Sequence, residues 1–201
     1  MRELALHLLD IAENSVSAHA DTIWITVEED TRSDRLRMSV NDNGMGMDAV
    51  MLARVTDPFT TSRTTRKVGL GIPLLKAAAE ACNGCFTITS TPGRGTEVNV
   101  EFQRSHIDRM PLGSLADTFI TLLIGSPQVH WVFRYQVNDA VFEFDDQPVK
   151  QELGDVPLSE PGVMGYLRST ISSEIAELAA NAPQALPVDL QKLAQARIPK
   201  S

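Results

Sequence analysis

Cysteine is scarce in this chain, a surplus of positive charge is missing, and long apolar runs are absent. Of 201 residues only Cys82 and Cys85 are cysteines, set as one CxxC in ACNGCF. One such pair supplies half the ligands of a structural zinc site, and no other cysteine can complete it. It reads first as two small residues where a helix gives way to a strand, with a redox pair or a zinc shared across a dimer as alternatives. Lys and Arg number 18 against 26 Asp and Glu, a formal net charge of -8. A surface that acidic repels a phosphate backbone, so nucleic acid is not an expected partner. No apolar run reaches the roughly 18 residues of a membrane span. The opening MRELALHLLD carries Arg2, Glu3 and Asp10 and has no small-residue cleavage site, so neither signal peptide nor membrane anchor is expected and a cytoplasmic location is. Internal repeats and low-complexity tracts are missing as well.

What is present is ordinary globular material, with 43% hydrophobic and 22% charged residues. Residues 2 to 18 read as a helix with Leu4, Leu8, Ile11, Ala12 and Ser15 on one face and His7, Asp10 and Asn14 on another. TIWITVEE and RLRMSVND alternate apolar and polar residues as two strands around DTRSD. The loop DNGMGM follows, then a short helical stretch DAVMLARV and the polar segment DPFTTSRTTRKVGLG. IPLLKAAAEA is a helix stopped by Asn83-Gly84, and CFTITS and TEVNVEF form a hairpin around TPGRG. The order implies helices layered on one face of a mixed sheet. Beyond Ser105 the character changes: MPLGSLADTFITLLIGSP reads as a helix, VHWVFRYQV and AVFEFD as strands about Asn138-Asp139, and EPGVMGYLRSTISSEIAELAA as a long helix. The expected organisation is a domain over residues 1–104, an αββα extension over 105–180 and a flexible tail over 181–201.

Several residues invite a chemical reading. Asp10 and Asn14, four apart, emerge one above the other on a helix. An asparagine oxygen suits Mg2+, and a carboxylate one turn away can orient a water toward a terminal phosphoryl group. Solvated polar residues are the ordinary alternative. Asp42-Asn43-Gly44 is turn chemistry, yet a hairpin needs a returning strand and MDAVMLARV is helical in period. Alternatively Asp42, at a strand end, accepts from the exocyclic amine of adenine and rejects guanine, while Gly44 and Gly46 let the backbone approach the base. Gly69-Leu70-Gly71 precedes a helix, where backbone amides bind phosphate, and Arg63, Arg66 and Lys67 lie just upstream. Thr96 opens the last hairpin strand, where it can join Asp42 through a water beside adenine.

Taken in order and spacing, LLDIAENSVSAHA, DNGMGM, DPFTTSR, VGLGIPLLKAAAEACNG and TPGRGTEVNVEF resemble the ATP-binding fold of the GHKL superfamily, which contains DNA gyrase, the ninety-kilodalton heat-shock chaperones, sensor histidine kinases and MutL. The resemblance covers about residues 4 to 103. It implies a Bergerat fold, an α/β (α+β) two-layer sandwich with a mixed, mostly antiparallel sheet and helices on one face. It implies ATP and Mg2+ as cofactors, with Asn14 on the metal and Asp42 on adenine. Gly44, Gly46, Met47 and Thr96 join that site, and residues 57 to 71 form a lid contributing Thr60, Thr61, Ser62, Arg63, Lys67, Gly69, Leu70 and Gly71.

The lid segments look most like a sensor histidine kinase, whereas ENSVSAHA resembles the corresponding motif of MutL. Asp10 matches the position where the ATP-hydrolysing branch carries its glutamate base, one methylene shorter, which implies slow turnover. Few residues precede the first motif helix, and His19, His106 and His130 fall outside any motif, so autophosphorylation on histidine is not expected. His7 is expected to be structural or to support the site. The leading expectation is a slow ATPase whose lid closure controls a protein partner. A serine or threonine protein kinase resembling the anti-sigma kinases comes second and an ATP-gated binding module third. The acidic charge leaves a MutL-like DNA role a distant fourth. A homodimer is compatible with all of them.

Overall fold

In the computed structural model, residues 3–56 and 71–180 are described. The elements are α1 (Leu4–Ser17), β1 (Thr22–Asp30), β2 (Arg35–Asp42), α2 (Ala49–Thr56), α3 (Gly71–Ala81), β3 (Cys85–Thr91), β4 (Gly95–Gln103), α4 (Leu115–Gly125), β5 (His130–Val137), β6 (Ala140–Asp145), α5 (Asp146–Leu153) and α6 (Pro161–Ala180). Six strands form one sheet in the order β3-β4-β2-β1-β5-β6. Every pairing is antiparallel except that of β1 with β5.

Alternation along the strands decides which face the helices cover. Ile25 of β1 pairs with Val40 of β2 and Phe133 of β5, and Val40 pairs with Val98 of β4. These residues, with Ile23, Val27, Leu36, Met38, Val100, Phe102, Trp131 and Tyr135, are all buried. A period of two puts such positions on one side of a pleated sheet, and Leu4, Leu8, Ile11, Leu75, Phe119 and Leu123 of the helices join the same core. The other face is polar: Arg37 pairs with Glu101 at 2.7 Å and Arg35 reaches the same carboxylate at 3.2 Å. This is the Bergerat architecture, two layers with helices on one side.

The expected boundary near Ser105 falls between β4 and α4, and the sheet runs on across it. β1 presents a ladder edge and an inward apolar row, and β5 satisfies both, in register from Thr22 with His130 to Glu29 with Val137. Phe119 of α4 stacks on Phe133 at 4.9 Å between ring centroids and meets Phe144 edge-on at 5.5 Å, placing the aromatic strand residues in the core. The segment before α4 is not helical from Met110 as its composition suggests. Pro111 biases its predecessor away from helix, and the Pro111 and Leu112 carbonyls instead accept the Leu4 and Ala5 amides at 3.0 and 2.9 Å. Those are first-turn donors of α1 that have no partner within their own helix. Helix α5 has no counterpart in the sequence reading, because it is short and polar and carries Pro148, which a first helical turn tolerates. No helix among the described residues is long and apolar enough to cross a membrane.

A small polar knot ties the late strands to the early ones. Glu29 accepts the Tyr135 hydroxyl at 2.7 Å on one oxygen and the Arg104 guanidinium at 2.7 Å on the other. Burial and the adjoining Glu29 carboxylate push the Tyr135 phenol far above its ordinary value. A folded value above the unfolded one, about 10, gives a contribution that is complete below that pH and is lost as pH rises beyond it. Denaturant unfolding of the wild type should therefore show stability falling above about pH 10, and Tyr135→Phe should flatten that fall. An equal slope in the variant would exclude Tyr135 as its source.

Candidate functional site

The alternation that builds the core of β2 continues one step past its apolar residues. Leu36, Met38 and Val40 point inward, and the next inward position is Asp42, only 5% exposed. A carboxylate there must be paired. Its Oδ2 accepts the Ser15 hydroxyl of α1 at 2.6 Å, and its Oδ1 accepts the Gly44 amide at 2.9 Å and the Thr96 amide at 3.2 Å. A carboxylate offers about four acceptor positions, so one on Oδ2 is left for a further donor. Thr96 sits opposite Asp42 in the β2–β4 register, and its hydroxyl lies 2.8 Å from that of Ser90. Ser90 also accepts the Met47 amide at 2.8 Å.

The loop after β2 is closely packed. The Met45 amide donates to Ala18 and the Met45 carbonyl accepts from Gly93, so the loop lies between the end of α1 and the β3–β4 turn. Gly46 has φ 66° and faces the Thr91 carbonyl so closely that a Cβ would overlap it, which only glycine permits. Gly44 fits under the Ala18 carbonyl, 2.7 Å from where its Cβ would stand.

Asp10 and Asn14 lie one turn apart on α1, both half-buried. The Asp10 carboxylate rests against Gly71 at the start of α3, and its Oδ2 is buried without a hydrogen-bond partner among the described residues. One turn earlier His7 is 2% exposed, and its Nδ1 likewise has no partner among the described residues. Burial lowers the His7 pKa, against the pull of the Asp10 carboxylate, which favours the charged ring. Asp10, Asn14, Asp42, Gly44, Gly46, Met47, Gly71 and Thr96 thus belong to α1, the end of β2, the β2–α2 connection, the start of α3 and the start of β4. Thr60, Thr61, Ser62, Arg63, Lys67, Gly69 and Leu70 lie outside the described residues. Two residues the sequence reading did not assign to the site, Ser15 and Ser90, prove to organise it. The only available signal was a hydroxyl in each case standing in an otherwise regular pattern, Ser15 within the apolar stripe of α1.

Other clusters are self-contained. His130 Nε2 lies 2.9 Å from Asp145 Oδ1, and the buried Asp146 beside them accepts the Trp131 amide at 3.1 Å. The three side chains could converge on an ion, but the Lys150 ammonium stands 2.6 Å from Asp146 Oδ2 and supplies the charge. With Asp145 also accepting the Gln147 amide at 2.8 Å, the group fastens the start of α5 to β5. Both thiols are free, Cys82 buried and Cys85 exposed. Burial pushes the Cys82 thiol up, which disfavours the reactive thiolate.

The family model described as "Histidine kinase-, DNA gyrase B-, and HSP90-like ATPase" matches residues 1–106. The sensor protein kinase FleS of Pseudomonas aeruginosa is 44% identical over 89 residues, 44% of this chain and 22% of that protein. A non-motile and phage-resistance protein of Caulobacter vibrioides is 32% identical over 111 residues, 51% of this chain and 13% of that protein. The chain therefore spans less than a quarter of the length of these relatives. Among solved structures, the Aquifex aeolicus MutL ATPase domain complexed with ADP superposes with a TM-score of 0.50 at 13% identity, over 76% of this chain and 68% of that one. That likeness is one of fold.

The Ser15 bond to Asp42 is open to a direct test. Hydrogen bonds to charged groups are worth about 1.5–3 kcal/mol, and Ser15→Ala should lower the unfolding free energy by about that amount in urea titrations. A loss below about 0.5 kcal/mol would show that the hydroxyl does not help hold the carboxylate.

Proposed function

Because the chain belongs to the family of histidine kinase-, DNA gyrase B- and HSP90-like ATPases and carries its ATP-binding domain, we propose that it is a slow Mg-ATPase in which closure of residues 57–71 over the nucleotide governs a protein partner. The observation that carries this reading is the Asp10 carboxylate, set one helical turn before Asn14 with a buried Oδ2 that no donor among the described residues engages.

Asp42 reads the base in this account. Its spare acceptor position takes the exocyclic amine of adenine, whereas guanine would present an oxygen to a carboxylate and be repelled. Ser15 and the Gly44 and Thr96 amides keep that carboxylate in place while it waits. Asn14 offers an amide oxygen, a ligand type suited to Mg2+, which when bound would draw charge from the phosphate oxygens. Asp10 orients a water and accepts its proton as the water attacks the terminal phosphoryl group. An aspartate reaches less far than a glutamate by one methylene, so alignment is imperfect and turnover slow. Phosphotransfer to a serine or threonine hydroxyl of a partner, which would take the water's place, is the second reading. The similarity to a sensor protein kinase favours it.

Terminally labelled ATP separates these outcomes when incubated with Mg2+ and the purified protein, with and without a cell extract. The ATPase reading expects free labelled phosphate that falls at least about 100-fold in Asp10→Asn while ATP affinity is kept. A labelled extract protein in place of phosphate would shift the assignment to a kinase, and binding without either product to a nucleotide-gated module. Asp42→Asn, which turns an acceptor into a donor toward the amine, should weaken ATP binding by at least about tenfold in calorimetry. Undiminished affinity would remove Asp42 from the base site.

A further inference from the structure

Glycine at position 71 is not explained by its backbone. Its φ lies outside the left-handed region, and it opens α3 as an ordinary helical residue, where alanine is favoured over glycine by about 1 kcal/mol. What excludes a side chain is space, and one residue takes that space. The three atoms nearest to a Cβ built on Gly71 all belong to Asp10. Its Oδ2 would be overlapped, its Cγ would stand at 2.7 Å and its Cβ at 3.5 Å. Oδ2 is buried, and no donor among the described residues fixes that end of the carboxylate. Contact with the bare Cα of Gly71 does so instead, with the positive end of the α3 dipole favouring the anion. The atoms that a new methyl would displace are the end of a short side chain rather than backbone, so the side chain would turn while α3 stayed where it is.

We propose that Gly71 is a positioning residue for Asp10: the missing side chain forms the seat of the carboxylate, and the residue at 71 sets where that carboxylate points relative to Asn14. The consequence for turnover rests on the hydrolytic reading of Asp10; the seat itself does not. A conventional part for this glycine, leaving its amide free for phosphate, would survive substitution by alanine, since alanine keeps the amide. The seat would not.

The test is a cycle of four full-length chains, wild type, Gly71→Ala, Asp10→Ala and the double variant, read by thermal unfolding and by steady-state phosphate release. In the Asp10→Ala background, where no carboxylate is left to displace, Gly71→Ala should raise Tm by about 2–4 °C through helix propensity. In the wild-type background the same change should leave Tm unchanged or lower it. Gly71→Ala alone should reduce kcat by about 10- to 100-fold with KM for ATP held within about threefold, the signature of a misaligned group and not of lost binding. Equal Tm shifts in both backgrounds would overturn the proposal. So would a raised KM with kcat intact, which would return Gly71 to nucleotide binding. Should the wild type release no phosphate at all, the hydrolytic reading fails, and the Tm cycle by itself decides whether Gly71 seats Asp10.

Discussion

Burying the Asp42 carboxylate is costly, and the donors that offset the cost come from different parts of the chain. Ser15 approaches from the buried face of α1, Thr96 from the neighbouring strand and Gly44 from the loop that leaves β2. Each donor fixes the position of its own element relative to the others. The end of the sheet is therefore organised around one anion, and removing it would leave a hydroxyl and two amides to find other partners. The loop that carries Gly44 and Gly46 can pack against Ala18 and Thr91 because those elements already stand where the carboxylate holds them. The same carboxylate retains one acceptor position that these three donors do not fill.

The second constraint lies at the other end of the same strands. Glu29, Arg104 and Tyr135 join β1, the end of the β4 segment and β5, and the turn at Asn138 reaches back to Thr31 through its side-chain oxygen at 2.9 Å. The strands after Ser105 are thus part of the sheet that carries Asp42, and helix α4 packs on α1 through the common core. Movement of α1 on nucleotide binding would be felt directly by α4 and by the strands behind it. That gives a physical route from the Asp10 and Asn14 face of α1 to the surface formed by residues 105–180.

Much of this was legible without coordinates because the signals were local. The alternation in RLRMSVND, the apolar stripe of α1 and the Asn83-Gly84 stop each depend on a few consecutive residues. The placing of Asp10 above Asn14 follows from helical spacing alone. Ser15 escaped because a serine in an apolar stripe resembles a neutral filler until a carboxylate is found opposite it. Helix α5 escaped because a short polar helix with Pro148 in its first turn has no apolar period to detect. Gly71 was legible as a glycine before a helix, but the reason for it was not.

By itself, then, the sequence determined the types of element, the inward and outward faces of the strands and the identity of the groups on the α1 face, since all of these follow from spacing along the chain. Only the tertiary structure decided that β5 pairs in parallel with β1, that Ser15 and Thr96 share one carboxylate and that Asp10 fills the space left by Gly71. Those relations join residues 27, 54, 61 and more than 100 positions apart. Such contacts depend on which edges and faces remain unfilled once the local elements have formed, and no local pattern records that.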